Sequence, residues 1–254
     1  MIFSELQLKI QNAKELDFGT IFNDSIELFK KVWVQGLVML LLTFVLMIPF
    51  YVLMYAPLIA MGIFNPERME QGMAPEEVFA FIIPFYLLML VFSFFAVIIA
   101  FGMKAGFYRV CKTKDFNEAT SDDYFYFFKK PYLGKTIKMA AVTTGISFLA
   151  MLLCVFPMFY VIIPVTLMNV IYAFNPDLSV SNIIKAGFDL GNKKWFITFG
   201  LIVVAGALAQ LVGLVMCFVG IFITASFAYL PPYFLYKEII GFDDKDDIMK
   251  IGNE

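Results

Sequence analysis

The sequence predicts an all-α membrane protein, a polytopic bundle of six transmembrane helices. Of its 254 residues, 61% are hydrophobic and only 16% are charged, whereas soluble domains average about half apolar and about a quarter charged. The apolar residues are concentrated in four runs that contain no Asp, Glu, Lys or Arg, at 32–66, 78–103, 139–176 and 195–236. Because a helix crosses the hydrocarbon layer with about 20 apolar residues, each run is long enough to span a membrane.

The two longest runs exceed the length of a single crossing. As unbroken helices, 139–176 and 195–236 would be about 57 and 63 Å long, about twice the hydrocarbon thickness of about 30 Å. We therefore interpret each as a helical hairpin, turning near Cys154–Pro157 and near Phe218–Gly220. A single membrane domain, 1–254, then has predicted spans at 33–57, 78–103, 137–154, 157–174, 195–217 and 220–238, with an acidic cytoplasmic tail at 243–254.

The distribution of basic residues favours six spans over four. With six spans and the N-terminus inside, Arg68 is the only one of 19 Lys and Arg residues on the outer side. A four-span topology would also place Lys185, Lys193 and Lys194 on the outer side, together with Arg68. Since basic residues are retained on the cytoplasmic side, we expect both termini in the cytoplasm. The lysine-rich, Phe-rich composition is typical of an AT-rich bacterial genome, so we expect the cytoplasmic (inner) membrane of a bacterium.

A lysine pair followed by an aromatic residue precedes spans one, three and five. Before the first pair, Phe18, Phe22, Ile26 and Phe29 recur at helical spacing between polar residues. This pattern predicts interfacial amphipathic helices before these three spans, the alternative being a helix packed on other protein. The predicted interfacial anchors are Lys30, Lys31, Trp33, Lys129, Lys130, Tyr132, Lys193, Lys194 and Trp195.

Residue types that carry catalysis or bind metals are scarce. The chain has no histidine, the commonest general base and metal ligand. It also has no phosphate-binding glycine loop, no nucleophile elbow and no metal-ligand spacing. We therefore predict no catalytic, cofactor-binding or metal-binding residues, no cofactor and no enzymatic activity.

Asn169 and Gln210 are the amides expected within the spans away from the first turns. Each either contacts a substrate in a cavity or forms an interhelical hydrogen bond. Pro231 and Pro232, adjacent in the last span, are a candidate hinge, although proline also occurs in helices whose neighbours satisfy the freed carbonyl groups.

The last third of the chain carries a family resemblance. It resembles a group of bacterial six-span inner-membrane proteins in three successive stretches. These are Ser181-Asn182-Ile183-Ile184-Lys185-Ala186-Gly187-Phe188, then Lys193-Lys194-Trp195, then a hairpin ending in Pro231-Pro232-Tyr233-Phe234-Leu235-Tyr236. That group includes the membrane domain fused to some glycerophosphodiester phosphodiesterases. The resemblance implies a six-helix fold without an established activity. We expect no phosphodiesterase activity, because the chain has no room for the catalytic domain.

Two functions remain open from the sequence. The first is a non-enzymatic integral membrane protein that acts in membrane organisation or assembly, or as a partner subunit. The alternative is a small-molecule or lipid transporter, with Asn169, Gln210 and the kinked spans lining its path. Membrane lipids are the expected partners, with other membrane proteins or a second copy of the chain as further candidates and no nucleic acid. A polar cavity would favour transport, and a fully packed bundle would favour organisation.

Overall fold

The computed structural model describes residues 1–60, 75–153, 155–216 and 219–242, and every regular element in these ranges is helical. In chain order these are α1 (Phe3–Gln11), α2 (Phe18–Ala60), α3 (Pro75–Asp115), the 3-10 helix η1 (Tyr126–Phe128), α4 (Lys130–Leu152), α5 (Val155–Phe174), α6 (Val180–Lys193), α7 (Trp195–Val215), α8 (Val219–Thr224), the 3-10 helix η2 (Ala225–Tyr229) and α9 (Leu230–Ile239). The prediction of an all-helical protein is confirmed for this part of the chain.

Five helical segments are long and apolar enough to cross a membrane, which indicates an integral membrane protein. They are Phe18–Ala56, Ile83–Asp115, Lys130–Leu152, Phe156–Phe174 and Trp195–Val215. The count of six crossings stays a prediction, because the segment predicted as the sixth span, 220–238, is divided among α8, η2 and α9.

Both predicted hairpins contain a helix boundary at the expected place. Helix α4 ends at Leu152 and α5 begins at Val155, and these two helices pack against each other. Helices α7 and α8 do the same across residues 216–218. A Cβ added to Gly213 would lie 2.7 Å from the Cα of Ile221, so the backbones of α7 and α8 touch there and only glycine fits. Cys154, Cys217 and Phe218 lie outside the described residues, as do the loop at 61–74 and the tail at 243–254.

The three lysine-aromatic motifs lie in three different local structures. The first is internal to α2, which runs unbroken from Phe18 through the predicted first span; it contains no glycine or proline between Gly19 and Gly36. The second follows η1, a single 3-10 turn, and α4 begins at once with Pro131 in its first turn. Only the third follows a separate amphipathic helix, α6, whose N-terminus is capped by Ser179. The prediction of a distinct helix before each of the three spans is therefore wrong for the first two, and an interfacial position stays a prediction.

Helix α3 continues past the predicted end of span two at Met103 and ends at Asp115. The reason is packing: Phe107, Tyr108 and Cys111 recur at helical spacing and are completely buried, so the turns beyond Met103 are held by other helices. This extension places Lys104 inside a helix.

Buried and exposed apolar residues are concentrated in different parts of the bundle. Residues 163–173 of α5 and 230–236 of α9 are almost all buried. In contrast, large apolar side chains are exposed along 41–59 of α2, 83–95 of α3 and 148–162 of α4 and α5. Such outward-facing apolar surface is typical of helices in contact with lipid, because lipid tails are as apolar as leucine.

Pro231 and Pro232 lie in the first turn of α9 and are buried. Proline is tolerated there because the first turn of a helix has no intrahelical acceptor for its N–H groups. The two prolines therefore fit the restart of the α-helix after η2. Their role as a hinge stays a prediction.

Candidate functional site

A cavity of about 510 Å³ lies between α2, α3, α4, α5 and η2. Its volume is within the range of about 300–1,000 Å³ that small-molecule sites occupy. Hydroxyl, amide, phenol and ammonium groups line part of it, contributed by Thr43, Lys104, Thr143, Thr144, Ser147, Thr166, Asn169 and Tyr229. Apolar side chains line the rest, contributed by Met39, Leu40, Val97, Ala100, Phe101 and Val165. The cavity is thus suited to a molecule with one polar and one apolar part.

Among the described residues that line the cavity, Lys104 is the only charged one. It is partly buried, and its Nζ lies 4.5 Å from the centre of the Tyr229 ring and 6.0 Å from that of Tyr108. An ammonium over an aromatic face is attracted by the ring quadrupole. Among the described side chains, no carboxylate lies within ion-pair distance of it. The cavity therefore has a positive charge without a negative partner.

Asn169 contributes a buried acceptor to the same cavity. The side chain is only 3% exposed, and its Nδ2 donates to the carbonyl oxygen of Phe101 on α3 at 3.1 Å. Its Oδ1 has no hydrogen-bond partner in the part of the chain that the structure describes. A buried acceptor left unpaired costs about 1–3 kcal/mol, so this oxygen is a position where a ligand with a donor group would gain free energy.

The hydroxyl groups of the cavity fall into two classes. Thr43, Thr143 and Thr144 donate to carbonyl oxygens four residues earlier in their own helices, at 2.7 to 2.8 Å. Their protons are already used, and only their lone pairs remain available. Ser147 and Thr166 make no hydrogen bond to any described residue. Both of these hydroxyls can still donate to a ligand.

The structure separates the two predicted amides. Asn169 lines the cavity, whereas Gln210 is exposed on α7 and is not among the lining residues. The prediction that both line one path is therefore not reproduced. Gln210 faces outward next to other exposed residues of α7, Leu208 and Leu211.

The first two lysine-aromatic motifs present their side chains at the surface. Lys30 pairs with Glu27 at 2.5 Å, Lys31 is exposed, and Trp33 is 41% exposed. In the second motif, Lys129 pairs with Asp123 at 2.5 Å and Lys130 is exposed. Tyr132 stacks on Tyr126 with ring centres 4.7 Å apart. An anchoring role at the membrane surface stays a prediction for both motifs.

Burial and, to a smaller extent, the hydrogen bond to Tyr132 raise the pKa of Tyr126 to about 12, against a smaller opposing effect of the Arg109 charge. The Arg109 guanidinium lies 3.9 Å from the centre of the Tyr126 ring. The phenol is therefore neutral at physiological pH, and this aromatic cluster acts as packing beside α3.

The third motif holds the N-terminal helix, a contact that sequence reasoning missed. Lys193 donates to the carbonyl oxygen of Gln11, the last residue of α1, and Lys194 donates to that of Lys14 at 2.6 Å. A cation at a helix C-terminus also interacts favourably with the helix dipole. Trp195 donates through Nε1 to the carbonyl oxygen of Tyr160 on α5 at 3.0 Å. This motif therefore joins α1, α5 and α6.

Lys104 was also missed from the sequence, because it follows the second charge-free run directly and lies beyond the predicted end of span two at Met103. One signal could have found it. Ala100, Lys104 and Tyr108 are spaced by four residues, and the chain from 100 to 115 contains no proline. Such spacing predicts a helix that continues and that keeps Lys104 on one face with its neighbours.

Comparison with protein family models, with curated proteins and with solved structures finds no match to this chain. The resemblance to six-span inner-membrane proteins therefore stays a prediction. Within the described ranges, no group of three or more His, Cys, Asp or Glu residues could hold a metal ion.

Proposed function

We propose that this chain is a polytopic protein of the bacterial cytoplasmic membrane that binds a lipid or another small amphiphile within its helical bundle and moves or presents it. The observation that supports this function is the cavity of about 510 Å³ with its polar lining. A protein that only organises other proteins needs no such space, since bundles used for rigid packing fill their interiors. The geometry therefore favours the transporter hypothesis over membrane organisation.

The position of the cavity supports the same function. Four of the helices that line it, α2, α3, α4 and α5, contribute these residues from segments long and apolar enough to span a membrane. Ionisable groups within such segments are costly and rare, and they mark substrate or ion pathways in membrane proteins. Lys104 directly follows the charge-free run 78–103 on α3, so it lies at the edge of that apolar run.

We extend the proposal to a topology of six crossings with both termini in the cytoplasm. The helix boundaries after Leu152 and after Val215 support it, as does the placement of 18 of the 19 basic residues on one side. The sixth crossing would be the segment from α8 to α9.

Purification from native membranes in mild detergent, followed by native mass spectrometry, tests the binding function. We expect a lipid or small molecule to copurify with the wild-type protein. Ser147→Trp fills the cavity and should abolish copurification. Phe148→Trp is the matched control, since Phe148 is 59% exposed and does not line the cavity. Recovery of a partner protein without any small molecule would instead support the partner-subunit hypothesis.

A further inference from the structure

We propose that the cavity selects an anionic phospholipid with an uncharged, hydroxyl-bearing headgroup, and that Lys104 supplies the countercharge. This inference rests on the proposed binding function and specifies its ligand class. It depends on three properties of the lining: its net charge, its unpaired donors and acceptor, and its apolar walls.

The net charge determines the sign of the ligand. Lys104 contributes one positive charge, and the other residues that line the cavity are uncharged. A phosphodiester with one negative charge neutralises the site, and attraction between opposite charges is stronger away from bulk water. A zwitterionic headgroup would bring its own ammonium or quaternary amine close to Lys104, where like charges repel. The cavity therefore prefers a headgroup whose only charge is the phosphate.

The unpaired polar groups determine what else the headgroup contains. The hydroxyls of Ser147 and Thr166 have no hydrogen-bond partner among the described residues and can donate to phosphate oxygens. The Oδ1 of Asn169 is buried without a donor. A headgroup hydroxyl supplies that donor without adding charge. The Tyr229 phenol likewise makes no hydrogen bond to a described residue, so the lining has three unpaired hydroxyl donors, one buried unpaired acceptor and one cation. A phosphate with a hydroxyl-bearing headgroup can bind to each of these kinds of group.

The apolar walls distinguish a lipid from a free anion that carries the same phosphate. Leu40, Val97 and Val165 line the cavity beside the polar groups. Inorganic phosphate or glycerol phosphate would leave these walls in contact with water, whereas the beginning of an acyl chain covers them and gains about 25 cal/mol for each Å² removed from water. The lining therefore favours the lipid as the source of the phosphate.

Binding measured on the full-length protein in neutral detergent micelles tests this inference. The probes are phosphatidylglycerol, phosphatidylcholine, glycerol phosphate and inorganic phosphate. We expect phosphatidylglycerol to bind about tenfold more tightly than phosphatidylcholine, since a hydrogen-bonded charge is worth at least this factor. We expect the two water-soluble phosphates not to compete. Lys104→Met should remove the preference, and Lys104→Arg should retain it.

Lys112→Met is the matched control. Lys112 lies on the same helix and is also placed over an aromatic ring, with its Nζ 5.0 Å from the centre of Phe242, but it does not line the cavity. This variant should keep the preference for phosphatidylglycerol. If Lys104→Met does not yield a monodisperse protein, Lys104→Gln replaces it, because glutamine removes the charge but keeps a polar side chain; it should likewise remove the preference.

The failure of this inference differs from the failure of the proposed function. Equal binding of both phospholipids by the wild type, or an unchanged preference in Lys104→Met, overturns the charge selection while lipid binding stands. Competition by glycerol phosphate or inorganic phosphate overturns the choice of a lipid as the source. If no phospholipid binds at all, the inference fails, whereas the proposed function fails only if no lipid or other small molecule copurifies with the protein.

Discussion

The Lys104 ammonium lies 4.5 Å from the centre of the Tyr229 ring, so a cation–π contact connects α3 with the 3-10 helix η2. Such a contact is worth about 0.5–2 kcal/mol. We expect Tyr229→Leu to lower the free energy of unfolding by at least that amount and Tyr229→Phe to leave it nearly unchanged. Thermal unfolding in detergent measures both. In a Lys104→Met background the effect of Tyr229→Leu should shrink; an undiminished effect would mean that the ring acts only by packing.

Gly36 allows α2 to approach η2 more closely than any other residue would. A Cβ at this position would lie 2.1 Å from the Oγ and 2.4 Å from the Cβ of Ser226, and Ser226 is completely buried. We expect Gly36→Ala to destabilise the protein by about 1–3 kcal/mol through overpacking, measured as a lower unfolding temperature. Gly206→Ala is the control, since nothing lies within 4 Å of its added Cβ, and it should be neutral or slightly stabilising. Equal effects of the two substitutions would contradict the close approach.

The hydrogen bonds from Lys193 and Lys194 to the chain around the end of α1 predict a local role for this pair. We expect the double variant Lys193→Met, Lys194→Met to increase hydrogen exchange in residues 3–14, because α1 would detach more often. Exchange in α2 and α3 should stay as in the wild type. The control is Lys30→Met, whose lysine pairs with the exposed Glu27 of its own helix. Unchanged exchange in α1 of the double variant would show that the apolar contacts of Leu6 and Ile10 hold this helix alone.

Asp17 caps α2 and predicts a local pH dependence. Its Oδ1 accepts from the backbone N–H of Thr20 at 2.7 Å and from the Thr20 hydroxyl at 2.8 Å. These hydrogen bonds lower the pKa of Asp17 from its ordinary value of 3.8. Since the folded-state pKa is below the unfolded value, the stabilisation is fully present above that value and is lost as the pH falls through the lowered pKa. Exchange of the Thr20 amide should accelerate in this acidic range relative to residues in the middle of α2. Asp17→Asn, which cannot titrate, should remove that pH dependence.

The exposed lysines of the first motif allow the topology to be tested without unfolding the protein. Lys30 and Lys31 lie on the surface, and exposed ion pairs such as Lys30 with Glu27 contribute little stability. We expect Lys30→Glu with Lys31→Glu to lower the fraction of chains whose termini are cytoplasmic, since basic residues determine orientation. Protease access to a tag fused at Glu254, in spheroplasts and in inverted vesicles, measures this fraction. The double Arg variant should behave as the wild type. A periplasmic tag in the wild type would contradict the six-span topology.

Most of the fold could be predicted because it depends on local patterns. The lengths of the charge-free runs indicate that a helix must end near Cys154 and again near Phe218, and helix boundaries lie beside both positions. The spacing of buried side chains in α6 and its Ser179 cap are likewise visible in the sequence. Where local signals were ambiguous, the prediction was wrong: nothing between Leu28 and Trp33 indicates whether an amphipathic helix ends before a span or continues into it.

The candidate site depended on contacts that the sequence does not encode locally. Lys193 and Gln11 are 182 residues apart in the chain, and no periodicity relates them. Lys104 is the first charged residue after an apolar run, and for that reason the predicted span ended just before it. The helix nevertheless continues, because residues beyond Lys104 are buried. Of the two amides, only Asn169 faces the cavity, because the direction of a polar side chain on an apolar helix depends on which neighbours surround it. The hydrophobic pattern therefore predicts where the apolar helices lie along the chain. Which side of each helix faces the cavity is given only by the structure.

The division of the last segment into α8, η2 and α9 has a consequence for its reach. A 3-10 helix rises about 2.0 Å per residue against about 1.5 Å in an α-helix, so the five residues of η2 lengthen the segment from Val219 to Ile239 to about 34 Å. This length exceeds the hydrocarbon thickness of about 30 Å, although none of the three helices in this segment is long enough to cross that layer alone. Irregular backbone at such depth is tolerated only where protein surrounds it, and Ser226 and Phe227 of η2 are buried. This length is compatible with the predicted sixth crossing, in which η2 and α9 would be surrounded by protein while Phe222 of α8, which is 46% exposed, would face lipid.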